Sequence, residues 1–346
     1  VMPLRFLVLI IFMVWGHNKL AAQNDTLIMN SGHFLVGEIK DYDEGVVSIE
    51  TAFSDSDFQV EWGKVKEFST QESFLIITTK GKRYFGTLAS DKDDPSNVII
   101  NDTTQGVIVE KTEDIVYFKQ IEDTFWSRAD LSMSLGFTKT KANNTTQLSI
   151  NVKTGYLSSN LKADIYFAAI RNLQTADDIT TESFRTEGGL GLLYFFYEDW
   201  FSVTRADLLQ SSEQLLNIRA ITKAGVGRYV LKTNRMNLGM AAGVAWNYED
   251  YDELDNNGDR NSAEGFLAAE YIIFNLGDLD LNTKLIAYPS FTESGRFRTD
   301  FDFNVKYEFA FDLFFKIGYT LNYDNRPVDG GSSSDYVIIT AIGWEL

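Results

Sequence analysis

The chain has no cysteine, two histidines, four prolines and, beyond its N-terminus, no long apolar run. Without cysteine it forms no disulfide, no thiolate nucleophile and no Cys-ligated zinc site, and it lacks the thiol that would carry a lipid anchor. The histidines are His17 and His33, both near the N-terminus, so the later sequence offers no imidazole base to a serine or aspartate nucleophile. Histidine-ligated zinc is excluded on the same ground. Basic charge is also short, 31 Lys and Arg against 49 Asp and Glu. A net charge of −18 excludes the sequence-independent grip on phosphate backbones that nucleic-acid binding needs.

Aromatic residues are abundant instead, with 26 Phe, 16 Tyr and 6 Trp. Together with the scarcity of proline they favour pleated strands over helices. Near the start, Arg5 precedes the apolar run Phe6 to Trp15 and a small-residue site at Ala21-Ala22. This reads as a secretory signal peptide over 1–22, because such a run is about half the ~20 residues that a spanning helix needs.

Residues 23–124 read as an acidic all-β domain made of two repeats, about 25–70 and 73–120, at an offset of about 49 residues. Leu27-Ile28-Met29, Gly32 and Gly37-Glu38-Ile39 in the first are answered by Leu75-Ile76-Ile77, Gly81 and Gly86-Thr87-Leu88 in the second. Short strands between Gly and Asp or Asn turns suggest two small SH3-like barrels or a pair of packed meanders, each copy closing its own core. The domain holds 20 acidic against 9 basic residues. That balance keeps it soluble and leaves a periplasmic protein partner through 25–120 open.

From 125 to 346 the pattern changes to longer alternating segments. Phe297 to Phe309 is the clearest, with Phe, Thr, Val or Tyr at odd positions and charged residues or Asn at even ones. A period of two assigns one face to an apolar medium and the other to a polar interior. Twelve strands are expected, near 129–138, 146–156, 160–171, 183–196, 200–210, 217–230, 235–247, 264–274, 279–288, 297–308, 311–322 and 335–346. Connections near 139–145, 172–182, 211–216, 248–263, 289–296 and 323–334 are long, and those between them short. The expected fold is therefore all-β: an antiparallel transmembrane β-barrel of about twelve strands after a small SH3-like repeat domain. Short turns on the periplasmic side would put both termini and the N-terminal domain there.

The final strand YVIITAIGWEL, the entry segment WSRADLSMSLGFT at Trp126 to Thr138, and Gly188-Gly189-Leu190-Gly191 resemble the YdiY-like "salt-induced outer-membrane protein" family, of unknown function, over about 126–346. The resemblance implies a place in the outer membrane, in contact with its lipid, and no reaction. The glycine run lies within a strand with no helix after it, so it is not a phosphate loop.

Lys153, Lys162, Arg298 and Lys306 share the expected lumen side with Asp164, Asp300, Asp302 and Glu308, part of a lining with as many basic as acidic side chains. A balanced lining argues for ion pairs filling a narrow lumen, Asp300 and Asp302 pairing with Arg298 or Lys306. No catalytic residue and no cofactor is assigned. The function expected is that of a structural or adaptor barrel of the cell envelope. A small-solute or ion channel of the porin type is the alternative, and a membrane-embedded hydrolase stands behind both. Loop 248–263 also approximates a calcium loop, with Glu253, Asp255, Asn257, Asp259 and Glu264 at ligand positions around Gly258. Its first ligand is Glu instead of Asp and its flanks are strands, so a solvated hairpin tip is the preferred reading.

Overall fold

In the computed structural model the residues described are 25–121, 125, 128–141, 144–176, 179–212, 216–251, 259–309, 313–327 and 333–344. The expected signal segment 1–22 lies outside them. The described chain forms two antiparallel sheets and no α-helix.

The first sheet takes five strands from each repeat: β1 (Asp25–Met29), β2 (Phe34–Asp43), β3 (Val46–Glu50), β4 (Phe58–Glu61) and β5 (Val65–Ser69), then β6 (Phe74–Thr78), β7 (Arg83–Ser90), β8 (Asn97–Asp102), β9 (Gly106–Lys111) and β10 (Ile115–Gln120). The expectation that each copy closes its own core is corrected here. Strands β1, β2, β10, β6, β7 and β5 pair in a ring, so β5 of the first copy joins β7 of the second and β10 of the second joins β2 of the first. Exchanging the copies maps every pairing onto another, a pseudo-twofold arrangement around one shared core. Leu27, Ile39, Tyr42 and Trp62 from one copy pack with Phe74, Leu88, Ile100 and Phe118 from the other. A repeat of five short strands presents too little apolar surface to close alone, and interleaving doubles it.

The matched glycines have matched tasks. Gly32 and Gly81 turn with φ of 84° and 73°. A Cβ on Gly37 or Gly86 would lie 2.0 or 1.9 Å from the carbonyl oxygen of Glu50 or Asn101, so only glycine lets the neighbouring strand cross so closely.

The symmetry breaks at β6, which is buried on both faces. Phe74 and Ile76 enter the shared core, whereas Leu75 and Ile77 join Val116, Ile121 and Leu157 in a second cluster against the other sheet. That explains why FLIIT is buried at every position while its counterpart DTLIM is buried only at alternate ones.

The second sheet has twelve strands in chain order: β11 (Ala129–Thr140), β12 (Thr145–Leu157), β13 (Leu161–Ala176), β14 (Ile179–Tyr197), β15 (Trp200–Ser211), β16 (Leu216–Lys232), β17 (Met236–Tyr251), β18 (Arg260–Leu276), β19 (Leu279–Pro289), β20 (Phe297–Phe309), β21 (Leu313–Asp324) and β22 (Ser334–Trp344). Each pairs with its neighbours, and among the described residues no pairing joins β22 back to β11. The sheet is nonetheless strongly curled. Lys223 of β16 reaches the Tyr288 hydroxyl of β19 at 3.3 Å, although a flat sheet would hold those strands ~14 Å apart.

Two expected long connections are partly strand. Ladder pairs continue to Ala176↔Ile179 and to Glu249↔Arg260, so 172–182 is largely hairpin stem and 248–251 and 260–263 belong to strands. Polar side chains sustain the ladder there, as in the 3.0 Å contact between the Thr175 and Thr180 hydroxyls.

Candidate functional site

Strand register puts alternate residues of the twelve-stranded sheet on its concave face, and the pairings carry that face from strand to strand. Lys153 pairs with Tyr166, Asp164 with Gly191, Gly191 with Arg205, and Arg205 with Lys223. Further on, Tyr288 pairs with Arg298, Lys284 with Asp302, and Asp280 with Lys306. Lys153, Lys162, Asp164, Arg298, Asp300, Asp302, Lys306 and Glu308 thus share one face, while Leu190, Leu208, Val244, Leu267 and Leu285 stand exposed on the other.

The concave side chains settle into three layers. Nearest the domain junction, the Arg205 guanidinium contacts Asp207 at 2.9 Å and Asp164 at 3.2 Å, and the Tyr166 hydroxyl donates to Asp207 at 3.2 Å. The glycine run makes room for this group. A Cβ on Gly189 would meet the Tyr166 ring at 2.4 Å, and one on Gly191 would meet an Asp164 oxygen at 2.4 Å. In the middle layer Ala245, Phe266 and Tyr288 are buried together. There the Phe266 ring fills the space left by Gly225 and Gly243. Farthest from the junction lies a buried polar layer. Glu264 accepts from Arg298 at 2.5 Å, Glu249 from Arg219 at 2.8 Å, and Asp324 from Arg296 at 2.6 Å.

The pairings differ in detail from those expected. Arg298 turns to Glu264 instead of Asp300, Lys306 pairs with Glu308 at 2.7 Å, and Asp302 accepts from the Thr320 hydroxyl at 3.0 Å. Lys306 and Arg205 pair with the next same-face residue of their own strand, whereas Arg298 reaches two strands away to Glu264. Glu249, Glu264 and Arg296 belong to this interior although sequence reading left them out of it. The alternation Arg260, Ser262, Glu264, Phe266 was the signal for Glu264, once β18 is started at Arg260.

The calcium loop is corrected at one position. Glu264 is a fully buried strand residue held by Arg298 and by the Ser262 hydroxyl at 3.1 Å, so its carboxylate is engaged inside the sheet. Asp259 is exposed and accepts from the Tyr248 hydroxyl at 3.2 Å. Glu253, Asp255 and Asn257 lie outside the described residues. No group of three or more His, Cys, Asp or Glu that could hold a metal occurs among the described residues.

The first sheet covers the end of the second that carries the short turns. Arg83 stacks on Phe195 at 3.8 Å and donates to the Ser159 carbonyl at 3.1 Å, while Asn234 donates to the Glu113 carbonyl at 3.2 Å. A cavity of about 1090 Å³ remains between the two sheets, with Asp43, Tyr117 and Lys119 on one side and Lys153, Lys162 and Glu270 on the other. Burial pushes the Asp43 carboxyl up, against the Glu44 amide and the Lys162 charge that favour its ionised form. Burial likewise raises the Tyr117 phenol, with Asp43 and Asp41 adding to the shift. Charges of both signs face this space, an arrangement for holding a polar, mixed-charge surface and not for drawing in ions of one sign.

No curated protein matches the chain. A family model described as "Protein of unknown function, DUF481" matches residues 133–345, more than half of the chain and nearly all of the twelve-stranded sheet, in agreement with the resemblance of the C-terminal part. The chain belongs to the DUF481 family.

Proposed function

We propose that the twelve-stranded sheet is a transmembrane β-barrel of the outer membrane and that the protein serves the envelope as a structural or adaptor element. The observation that carries this reading is the inversion of polarity across the sheet. The convex face exposes large apolar residues on strand after strand, among them Phe167, Val226, Val244, Leu267 and Trp344, while ion pairs pack the concave face. Soluble monomers rarely expose an apolar surface of more than a few hundred Å². A bilayer accepts such a belt.

The layers of the concave face would then fill the lumen, and the acidic N-terminal domain would sit at its periplasmic mouth, available to a protein partner through 25–120. The full burial of Glu249 and Glu264 on the concave face supports a filled lumen. The competing channel reading draws on the cavity at the covered end.

Fractionation, heat-modifiable migration in detergent and planar-bilayer recording test the proposal together. Expected are an outer-membrane protein that migrates faster unboiled and is silent in bilayers. Recovery in the soluble fraction would overturn the membrane reading. Stable conductance steps would favour the channel.

A further inference from the structure

Strands β11 and β22 are paired on one side only, and both are exposed along their lengths. They close the list of an even-numbered antiparallel series, so they run in opposite directions, and they are 12 and 11 residues long. Two such edges can zip to each other. Both also lie outside the ion-pair bracing that runs through much of the sheet. Among the described residues, ion pairs between elements of the concave face join β13 to β15, β15 to β16, β16 to β17, β18 to β20, and the loop before β20 to β21. None reaches β11 or β22.

The concave face of β22 is also apolar over most of its length. Asp335, at the start of the strand, has concave parity by the register Asn322↔Asp335. By Thr320↔Val337 and Gly318↔Ile339, β22 then presents Val337, Ile339, Ala341 and Gly343 to that side. Val337 and Ile339 are more than half exposed, as are Tyr336, Ile338 and Ile342 on the convex side. A stretch that is mostly apolar on both faces, as from Tyr336 to Trp344, is suited to apolar surroundings on both faces. No described residue supplies them on the concave side.

We propose that β11 and β22 form a lateral gate, and that an acyl chain of the surrounding lipid lodges on the concave face of β22 when they part. The inference rests on the outer-membrane reading given above. Hydrocarbon is the occupant because, at the depth of the apolar belt, it is the medium against the convex side of β22 and is continuous with the concave side round the unpaired edge. Bare backbone groups are not tolerated against hydrocarbon. The zipped state therefore pairs β11 with β22, and in the parted state water from the charged interior serves the edge groups.

The absence of cysteine allows a direct test on the full-length protein. Ile338→Cys and Ile339→Cys, each carrying a nitroxide, are reconstituted in phosphatidylcholine vesicles, and spin relaxation by oxygen, which concentrates in lipid, is compared with that by a water-soluble nickel chelate. Expected is the same preference for oxygen at both positions. Oxygen preference at Ile338→Cys with nickel preference, or neither, at Ile339→Cys overturns the gate and leaves the barrel standing. Loss of oxygen preference at Ile338→Cys instead overturns the membrane reading itself. Each variant replaces an exposed side chain, and unboiled gel migration confirms that it has folded.

Discussion

Arg298 reaches across β19 to Glu264, its Nε and Nη2 donating to the two carboxylate oxygens at 3.1 and 2.5 Å. The carboxylate is fully buried, so the pair depends on both members. Removing one leaves an uncompensated charge, which typically costs about 3–5 kcal/mol, whereas replacing both with apolar residues is often neutral. Glu264→Leu alone should therefore lower the thermal midpoint of the heat-modifiable form markedly. The Glu264→Leu, Arg298→Met double variant should recover most of the loss. Equal destabilisation of the single and double variants would show that the pair contributes nothing as a unit.

The glycines of β16 and β17 make a steric prediction. A Cβ on Gly243 would lie 2.2 Å from the Ala224 carbonyl oxygen and 2.7 Å from the Phe266 ring, and the backbone contact cannot be relieved by a rotamer change. Gly243→Ala should cost at least the ~1–3 kcal/mol of overpacking. Gly188→Ala, whose nearest contact would be 3.3 Å, should cost far less. Urea denaturation followed by intrinsic fluorescence would rank the two.

Arg83 joins the two sheets through Phe195 and the Ser159 carbonyl. Losing a desolvated cation–π contact and a charge-assisted hydrogen bond removes about 2 kcal/mol of docking. Arg83→Ala should speed proteolytic cleavage between the sheets near 121–128 without lowering the stability of either one. Unchanged cleavage rates would place the docking energy in the Leu75, Ile77 and Val116 cluster instead.

Two acids of the N-terminal domain should pull its stability in opposite directions with pH. At Asp102 burial pushes the carboxyl up, but the Thr104 hydroxyl and the amides of Phe85, Gln105 and Thr104 outweigh it and hold it below its ordinary value. Its contribution is present above that ordinary value, ~3.9, and is lost as pH falls through the lower folded one. At Asp25 burial dominates over the amides of Ile39 and Gln71 and raises the carboxyl, so its contribution belongs to low pH and is lost as pH rises through the raised value. Asp102→Asn should flatten the acid limb of the denaturation curve, and Asp25→Asn should flatten the limb above it. The same slopes in both variants as in the parent chain would refute the assignment.

Much of the architecture was legible along the chain because it depends on local periodicity. Alternation located all twelve strands of the second sheet, and the register of hairpins joined by short turns follows from neighbours in sequence. The recurrence of Gly32 and Gly37 at Gly81 and Gly86 likewise announced two copies of one unit. The strand extensions to Ala176 and Arg260 were not legible, since polar residues ladder as well as they loop. For the same reason Glu264 looked like a loop ligand instead of an interior anion.

Sequence alone determined which face of each strand is apolar, because that depends on parity. It could not decide which elements meet across space. The crossing of β5 to β7 and of β10 to β2, the choice of Glu264 by Arg298, and the seating of Phe266 over Gly225 and Gly243 join residues far apart in the chain. Such contacts depend on how the sheets curl and close, and neither the pleat nor the composition of a single strand encodes them.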